Sequence, residues 1–282
     1  MSRPNCCPGP AVKPDDMHPD LEKKYQRLLD YLRDLEQVAV ACSGGVDSTF
    51  LAFAAVQALG VDQVLILFGE SCLLTQNKKQ QVRQLLRSEL PDNAKIETIA
   101  LEPLANGALA RNEKNRCYLC KKQIYRRFLE HLGETTIRVL LDGTNVDDLT
   151  DDRPGLQAVR ELEILTPLVT CGFNKADIRA AADALRLANA YLPSDSCLAT
   201  RLPPGQAITR VALEQVEQFE TFLNGLGFSG CRVRPRGDMV IIEVQKGDIV
   251  QIAQPQQRAA IERYFAEHGC QKVLLDLKGR DL

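Results

Sequence analysis

Short apolar segments alternate with amphipathic segments along most of the chain. The apolar segments are bounded by turn residues and predict strands at 38–41, 64–68, 96–101 and 139–141. The second of them is apolar at every position, which is typical of a strand buried on both faces of a parallel sheet. Amphipathic helices are predicted before and between the strands, at 21–35, 77–90 and 123–132. This alternation predicts an α/β fold with a doubly wound, mainly parallel sheet.

The pattern changes after Pro203-Pro204-Gly205. The remaining chain predicts the order helix, strand, strand, helix and strand, over 211–226, 231–235, 239–244, 255–268 and 272–277. This order is typical of a small α+β domain. The predicted organisation is therefore a disordered leader over 1–19, a sheet domain over 20–203 and a smaller domain over 204–282.

A glycine-rich turn joins the first predicted strand to an apolar helix. The chain reads Ser-Gly-Gly-Val-Asp-Ser over residues 43–48. Gly44 and Gly45 have no Cβ, so the backbone can turn sharply against a ligand, and the first amides of the next helix are unpaired. Hydroxyl donors are present here on Ser43, Ser48 and Thr49. Such a turn suits phosphate oxygens, the alternative being an ordinary connection with a glycine pair.

The turn resembles the PP-loop of the ATP pyrophosphatases, which hold pyrophosphate and release AMP. It lacks the Gly-Lys-Ser/Thr ending of a Walker A loop. Two further turns, 69–71 and 142–145, follow predicted strands at their carboxyl ends, where doubly wound sheets bind ligands. We therefore expect an ATP site at this edge of the sheet.

Three of the 10 cysteines stand in contexts that suggest chemistry. Cys117 and Cys120 form a Cys-x-x-Cys motif, and Cys197 lies near the end of the sheet domain. The cations beside the motif are expected to favour thiolates; they are Arg116, Lys121 and Lys122. Three thiolates could hold a four-iron cluster with one open iron, or a zinc ion with an outside ligand. A redox pair with a separate nucleophile, or simple core packing, stays open as well.

Acidic and basic side chains mark two more candidate binding positions. Residues 145–155 carry four aspartates, and either a magnesium site on ATP or a solvated acidic loop explains them. Arg232 and Arg234 alternate along a predicted strand, so they project from one face. Paired guanidinium groups suit phosphate or carboxylates, although a solvated strand face is the alternative.

Composition narrows the class of partner. The 282 residues carry a net charge of -2, so no overall basic field attracts nucleic acid. No apolar run approaches the ~20 residues needed to cross a bilayer, and the N-terminus has no hydrophobic signal region. We expect a cytoplasmic enzyme that contacts neither membrane nor nucleic acid.

From about residue 21 to the C-terminus, the motifs resemble those of the LarE sulfurtransferases. The matching segments, in chain order, are 43–48, 116–121, 143–155, 197–201 and 232–234. The Cys-Leu-Ala-Thr-Arg segment followed by the Arg-x-Arg strand distinguishes LarE from other PP-loop enzymes. This family adenylates the carboxylates of a pyridinium biscarboxylate mononucleotide and converts them to thiocarboxylates for nickel-pincer cofactor synthesis. The resemblance also implies a homo-oligomer.

The resemblance assigns roles to individual residues. ATP is expected at Ser43, Gly44, Gly45, Asp47, Ser48, Thr49, Ser71 and Gly143. Asp47 and Asp148 are expected near Mg²⁺. The substrate is expected at Arg153, Glu220, Arg232 and Arg234. Catalysis is assigned to Asp47 and the cysteines Cys117, Cys120 and Cys197.

The source of sulfur divides the family. One branch has only the cysteine that matches Cys197 and sacrifices its sulfur, which leaves dehydroalanine. The other has three cysteines that carry a 4Fe–4S cluster, and because Cys117 and Cys120 are present we expect this branch. An unknown sulfur carrier would then reload the cluster. The rival functions are a tRNA thiolase, an amidotransferase-type ligase and a zinc-stapled nucleotide-binding module.

Overall fold

The computed structural model describes residues 17–150, 154–192 and 196–281, so nearly all of the predicted leader lies outside the described residues. The α-helices, numbered α1 to α11, are Pro19–Arg33, Val46–Leu59, Gln76–Glu89, Gly107–Ala110, Arg116–Leu132, Pro154–Glu161, Pro167–Thr170, Lys175–Ala184, Arg210–Gly225, Ile249–Ile252 and Pro255–Glu267. The strands, numbered β1 to β7, are Val38–Ala41, Val64–Glu70, Lys95–Ala100, Leu140–Asp142, Arg232–Arg236, Met239–Glu243 and Lys272–Leu275. Within these residues no helix is long and apolar enough to cross a bilayer.

The first four strands form a parallel sheet in the order β3-β2-β1-β4. In register, Val38 pairs with Val64, and Ala39 pairs with Leu140 on the other side. One core cluster packs α1, α2 and α8 on one face of the sheet, and a second packs α5 and α6 on the other. The predicted doubly wound α/β fold is therefore confirmed, and the carboxyl ends of these strands meet at one edge.

Helix α5 differs from the prediction in its first residue. It begins at Arg116 instead of 123, so the Cys-x-x-Cys motif forms its first turn. The segment contains no glycine or proline to stop the helix, and its residue types are ordinary helix formers. Cys117 and Cys120 are therefore three residues apart on one helix, where side chains are neighbours.

A second, mixed sheet lies at the C-terminus in the order β5-β6-β7. Strands β5 and β6 are antiparallel, whereas β6 and β7 are parallel. Helices α9 and α11 contribute to the apolar cluster of this sheet, and the rings of Phe219 and Phe265 lie 4.6 Å apart between centroids.

One further apolar cluster joins residues from both sides of the domain boundary predicted at 203. Leu73 and Leu109 come from the sheet domain, while Leu213 and Val216 come from α9. Leu198, beside Cys197, is a member as well. The first half of α9 is thus packed next to the cysteine-bearing segment.

Candidate active site

The glycine-rich turn is held by its own side chains between β1 and α2. Gly44 has a φ of +77°, a left-handed conformation that favours glycine, and a Cβ here would lie 2.5 Å from a methyl of Val82. The Ser48 hydroxyl accepts from the Ser43 amide at 3.2 Å and donates to the Gly45 carbonyl at 3.1 Å. The turn is therefore shaped before any ligand arrives.

Asn189, which the sequence analysis missed, holds the turn from outside. Its side chain is buried, and its Nδ2 donates to the Thr49 hydroxyl at 3.0 Å and to the Gly44 carbonyl at 3.4 Å. Asn189 follows α8 and lies 140 positions after Thr49 in the sequence. No local motif predicts so distant a contact.

Replacing Asn189 by alanine is expected to lower the free energy of unfolding by about 1–3 kcal/mol and to weaken ATP binding, because two buried acceptors lose their donor. Thermal unfolding and the KM for ATP measure these effects. Asn224→Ala, at an exposed position on α9, is the matched control. Equal melting temperatures and KM values for the two variants would contradict the positioning role.

The turn after β4 packs closely against the start of α2. A Cβ on Gly143 would lie 2.9 Å from the backbone nitrogen of Ser48. Asp142 is buried before this turn and accepts from the Thr144 amide at 2.9 Å and from the Tyr125 hydroxyl. Burial and the Asp142 charge raise the pKa of Tyr125 well above its usual value, so its hydroxyl stays a donor.

One cavity of about 490 Å³ brings most of the predicted site together. Its wall includes Ser43, Gly45, Asp47, Ser48, Ser71, Gly143, Asp148, Cys117, Cys120 and Cys197. Of the predicted ATP residues, Gly44 and Thr49 lie behind this wall, and Thr49 is fully buried. The loop, two carboxylates and three thiols thus share a single space.

The thiols come from two facing elements. Cys117 and Cys120 are on the first turn of α5, and Cys197 precedes the short 3₁₀ turn Leu198–Arg201. Arg116 links them, because its Nη1 donates to the Ala199 carbonyl at 3.1 Å and its Nη2 lies 3.8 Å from the Cys117 sulfur. The described cysteines are all unbridged.

The prediction that the cations beside the Cys-x-x-Cys motif favour thiolates is wrong for Cys120. Burial raises the pKa of Cys120 to about 12 and also raises that of Cys197, and Arg116 opposes these shifts only in part. The two lysines are engaged elsewhere. Lys121 Nζ lies 3.4 Å from the Asp142 carboxylate, and Lys122 Nζ lies 2.5 Å from that of Glu161. Without a bound electrophile or metal, these two thiols stay protonated near neutral pH.

The carboxylates expected at magnesium are both on the cavity wall. Lys175 Nζ contacts the two oxygens of Asp47 at 2.7 and 2.6 Å. Asp148 accepts from the amide of Asn145 at 3.0 Å. Oxygen donors of this kind fit Mg²⁺ on ATP phosphates, and Lys175 adds a second cation where phosphate charge is expected.

The described residues that are expected at the substrate do not line this cavity. Arg153 lies outside the described residues. Glu220 is buried and accepts from Nε of Arg201 at 2.8 Å and from the Val233 amide at 3.0 Å. Arg234 pairs with Glu243 and donates to the Thr200 carbonyl at 2.7 Å. Arg232 is the first residue of the same strand and lies on the same face of it as Arg234. The substrate-binding assignment of these residues stays a prediction.

Two strand arginines hold the segment that follows Cys197. In addition to the Arg234 contact, Arg236 Nη1 donates to the Arg201 carbonyl at 3.1 Å. The Arg201 side chain also contacts this segment, because its Nη1 donates to the Ser196 carbonyl at 2.8 Å. The C-terminal sheet thereby fixes the backbone beside Cys197.

Glu220→Gln is expected to lower the free energy of unfolding by about 3–5 kcal/mol, because it removes the carboxylate charge that faces the buried Arg201 guanidinium. The two side chains are only 8% and 5% exposed. Chemical denaturation measures the change, with Glu214→Gln on the exposed face of α9 as the control. A variant of native stability with weakened substrate binding would show that Glu220 serves the substrate instead.

Fold and site together define a PP-loop ATP pyrophosphatase: a parallel α/β sheet whose central strand runs through the Ser-Gly-Gly-Val-Asp-Ser turn into a helix. A scan against protein-family models found no match. The chain is 32% identical over 259 residues to the pyridinium-3,5-bisthiocarboxylic acid mononucleotide synthase of Lactiplantibacillus plantarum, and the match covers 92% of each chain.

An uncharacterized protein of Synechocystis is 31% identical over 259 residues, covering 92% of this chain and 95% of its own. One subunit of the glutamine-hydrolyzing GMP synthase of Methanococcus maripaludis is 24% identical over 184 residues, covering 60% of this chain and 56% of its own. The chain belongs to the LarE family within the PP-loop ATP pyrophosphatases and is an ATP-dependent enzyme.

Proposed function

We propose that this enzyme adenylates the carboxylates of a pyridinium biscarboxylate mononucleotide and replaces an oxygen of each by sulfur, in the synthesis of a nickel-pincer cofactor. The name of the Lactiplantibacillus plantarum relative describes such a product. The observation that carries the proposal is that the PP-loop and three thiols line the same cavity. An acyl adenylate formed at the loop would meet its sulfur nucleophile without leaving the site.

The loop performs the first half of the reaction. Amides at the start of α2, together with Lys175, hold the β- and γ-phosphates, and Asp47 and Asp148 would hold Mg²⁺, which would supply further positive charge there. A substrate carboxylate attacks the α-phosphorus and forms an acyl adenylate as pyrophosphate leaves. The amides and cations stabilise the negative charge that develops on pyrophosphate.

The cysteine side of the cavity performs the second half. A sulfur nucleophile attacks the acyl carbon, and AMP leaves with the electron pair of the broken carbon–oxygen bond, which yields a thiocarboxylate. Lys121, beside the cavity wall, places a cation where the phosphate of the leaving AMP is expected. Because burial keeps two of the thiols neutral, the sulfur must be activated by a bound group or by the adenylate itself.

We further propose that Cys117, Cys120 and Cys197 hold a 4Fe–4S cluster. Three thiols that share one cavity wall are the donor set of such a cluster, and charge on Cys197 and Cys117 raises the pKa of Cys120 further, as expected for neighbouring sulfurs. Within the described residues, no three His, Cys, Asp or Glu side chains form a group that could hold a metal ion, so the iron and zinc content of the purified protein decides between a cluster and a zinc staple. The cluster would supply an open iron that carries an additional sulfide.

The test uses full-length protein purified without oxygen. Incubation with ATP and the mononucleotide is expected to give AMP, pyrophosphate and a product in which sulfur replaces oxygen, whereas unmodified tRNA gives none. Iron and acid-labile sulfide are measured on the same sample. Product without iron, with a protein that has lost the elements of H2S, would replace the cluster by sacrifice of Cys197. No AMP with the mononucleotide would overturn the proposed substrate.

A further inference from the structure

A buried carboxylate, Asp142, holds one lysine of the cavity wall in place. Lys121 Nζ lies 3.4 Å from Oδ2 and 3.5 Å from Oδ1 of this carboxylate. The Asp142 side chain is only 12% exposed, whereas that of Lys121 is 29% exposed and lines the cavity. An ammonium group carries three N–H donors, so two long contacts to one carboxylate leave a donor for a ligand in the cavity.

The Asp142 carboxylate is itself fixed by two other residues. The Tyr125 hydroxyl donates to Oδ2, while the amide and the hydroxyl of Thr144 donate to Oδ1, the amide at 2.9 Å. Tyr125 is buried, and its raised pKa keeps the hydroxyl a donor. The carboxylate therefore cannot turn away from Lys121 without losing these hydrogen bonds.

The stem of Lys121 is confined as well. A Cβ on Gly155, at the start of α6, would lie 3.0 Å from the Lys121 Cδ, so the backbone of α6 passes close to the stem. On α5, the Lys121 Nζ lies 5.4 Å from the centroid of the Tyr125 ring. The ammonium group is thus held in one place before any ligand arrives.

This place lies between the phosphate loop and the thiols. Asp142 is followed by Gly143, which packs against the backbone of Ser48, and Lys121 is preceded by Cys120. Pyrophosphate leaves at the loop and the acyl group meets sulfur at the thiols, so the α-phosphate must lie between them. Among the described residues that line the cavity, the only other cation is Arg116, which is engaged at the Ala199 carbonyl.

We propose that Asp142 and Tyr125 are positioning residues that hold the Lys121 ammonium against the α-phosphate of ATP while the acyl adenylate forms. Lys121 is then a catalytic residue of adenylation as well as a cation beside the leaving AMP. This inference rests on the proposed function, because it concerns the phosphate that the mononucleotide attacks.

The step needs a fixed cation because two anions must meet. A carboxylate oxygen of the mononucleotide forms a bond to the α-phosphorus, the bond from that phosphorus to the bridging oxygen breaks, and pyrophosphate leaves with the electron pair. No proton is transferred, so Lys121 acts by its charge and by a hydrogen bond to a non-bridging oxygen. It lowers the repulsion between carboxylate and phosphate, and it stabilises the charge that builds on that oxygen.

The experiment measures ATP-dependent release of pyrophosphate by full-length protein with the mononucleotide. Lys121→Met is expected to lower kcat at least about a hundred-fold with little change in the KM for ATP, because the loop holds the other two phosphates. Tyr125→Phe is expected to lower kcat about ten-fold, because Lys121 loses its fixed partner. In the double variant, Tyr125→Phe is expected to cost less than about two-fold more, since no lysine is left to position.

Tyr118→Phe is the matched control on the same helix. The Tyr118 hydroxyl donates to Glu161 at 2.7 Å and accepts from Lys122 at 2.6 Å, but Tyr118 does not line the cavity. The control therefore removes the same kind of contact, a hydroxyl beside a carboxylate and a lysine, outside the site. Its rate of pyrophosphate release is expected to equal that of the wild type.

Circular dichroism verifies that the variants are folded, and Asp142→Asn gives a second cycle with Lys121→Met that does not depend on Tyr125. A wild-type rate in Lys121→Met, or a loss from Tyr125→Phe that is equally large with and without the lysine, would overturn the inference alone. Wild-type protein that releases no pyrophosphate with the mononucleotide would overturn the proposed function and the inference with it. The two failures are therefore distinguishable.

Discussion

Gly143→Ala is expected to lower the rate of ATP-dependent AMP formation at least about a hundred-fold, because the added methyl would displace the loop from the reacting phosphate. Its Cβ would lie 2.9 Å from the Ser48 nitrogen and 3.0 Å from the Ser48 Cα. These are backbone atoms in the first turn of α2, so no side-chain rotation relieves the contact. Steady-state release of AMP and pyrophosphate measures the loss.

Gly225→Ala is the matched control for this substitution. It lies at the end of α9, and an added Cβ there would meet no atom within 4 Å. Both variants insert one methyl group, so only the space available differs. AMP formation that stays at the wild-type rate in Gly143→Ala would show that the turn after β4 does not fix the phosphate loop.

Cys197→Ala is expected to reduce thiocarboxylate formation at least about a thousand-fold while the release of pyrophosphate on adenylation of the substrate persists. The residue lines the cavity opposite the loop, but its side chain forms no part of the loop. Sulfur transfer is therefore lost without loss of nucleotide binding. Mass spectrometry of the product and a parallel assay of pyrophosphate release separate the two steps.

Two further variants distinguish a cluster from sacrifice of Cys197 as the source of sulfur. Cys270→Ser, in the apolar cluster of the C-terminal sheet, is the control and is expected to retain full sulfur transfer. Cys117→Ala removes the most exposed of the three thiols. A cluster predicts loss of iron and of transfer in this variant, whereas sacrifice of Cys197 predicts one normal turnover. Multiple turnovers by Cys197→Ala would contradict both schemes.

The parallel sheet could be predicted because each strand carries its own signal. Val64 to Phe68 are all apolar and all buried, as expected between two helical layers. The start of α5 could not be located from the same signals. A Cys-x-x-Cys motif with charged neighbours resembles a loop motif, whereas Arg116 in fact begins a continuous helix.

The loop of the site was equally predictable, but its supports were not. Asn189 and Lys175 contact Thr49 and Asp47, which lie 140 and 128 positions away in the sequence. The Asn174–Asp177 capping box does mark the helix that begins at Lys175, yet it does not show that the lysine reaches Asp47. The thiol pKa values depend on burial, which motif reading does not supply.

The apolar cluster shared by Leu73, Leu109, Leu213 and Val216 restricts how this enzyme can evolve. Many multidomain enzymes exchange their C-terminal modules by recombination across a linker. Here an exchanged module would have to bring an apolar helix face that fits the cysteine-bearing segment, because that face supports Leu198. The C-terminal part is therefore expected to have been inherited together with the sulfur chemistry, as one unit.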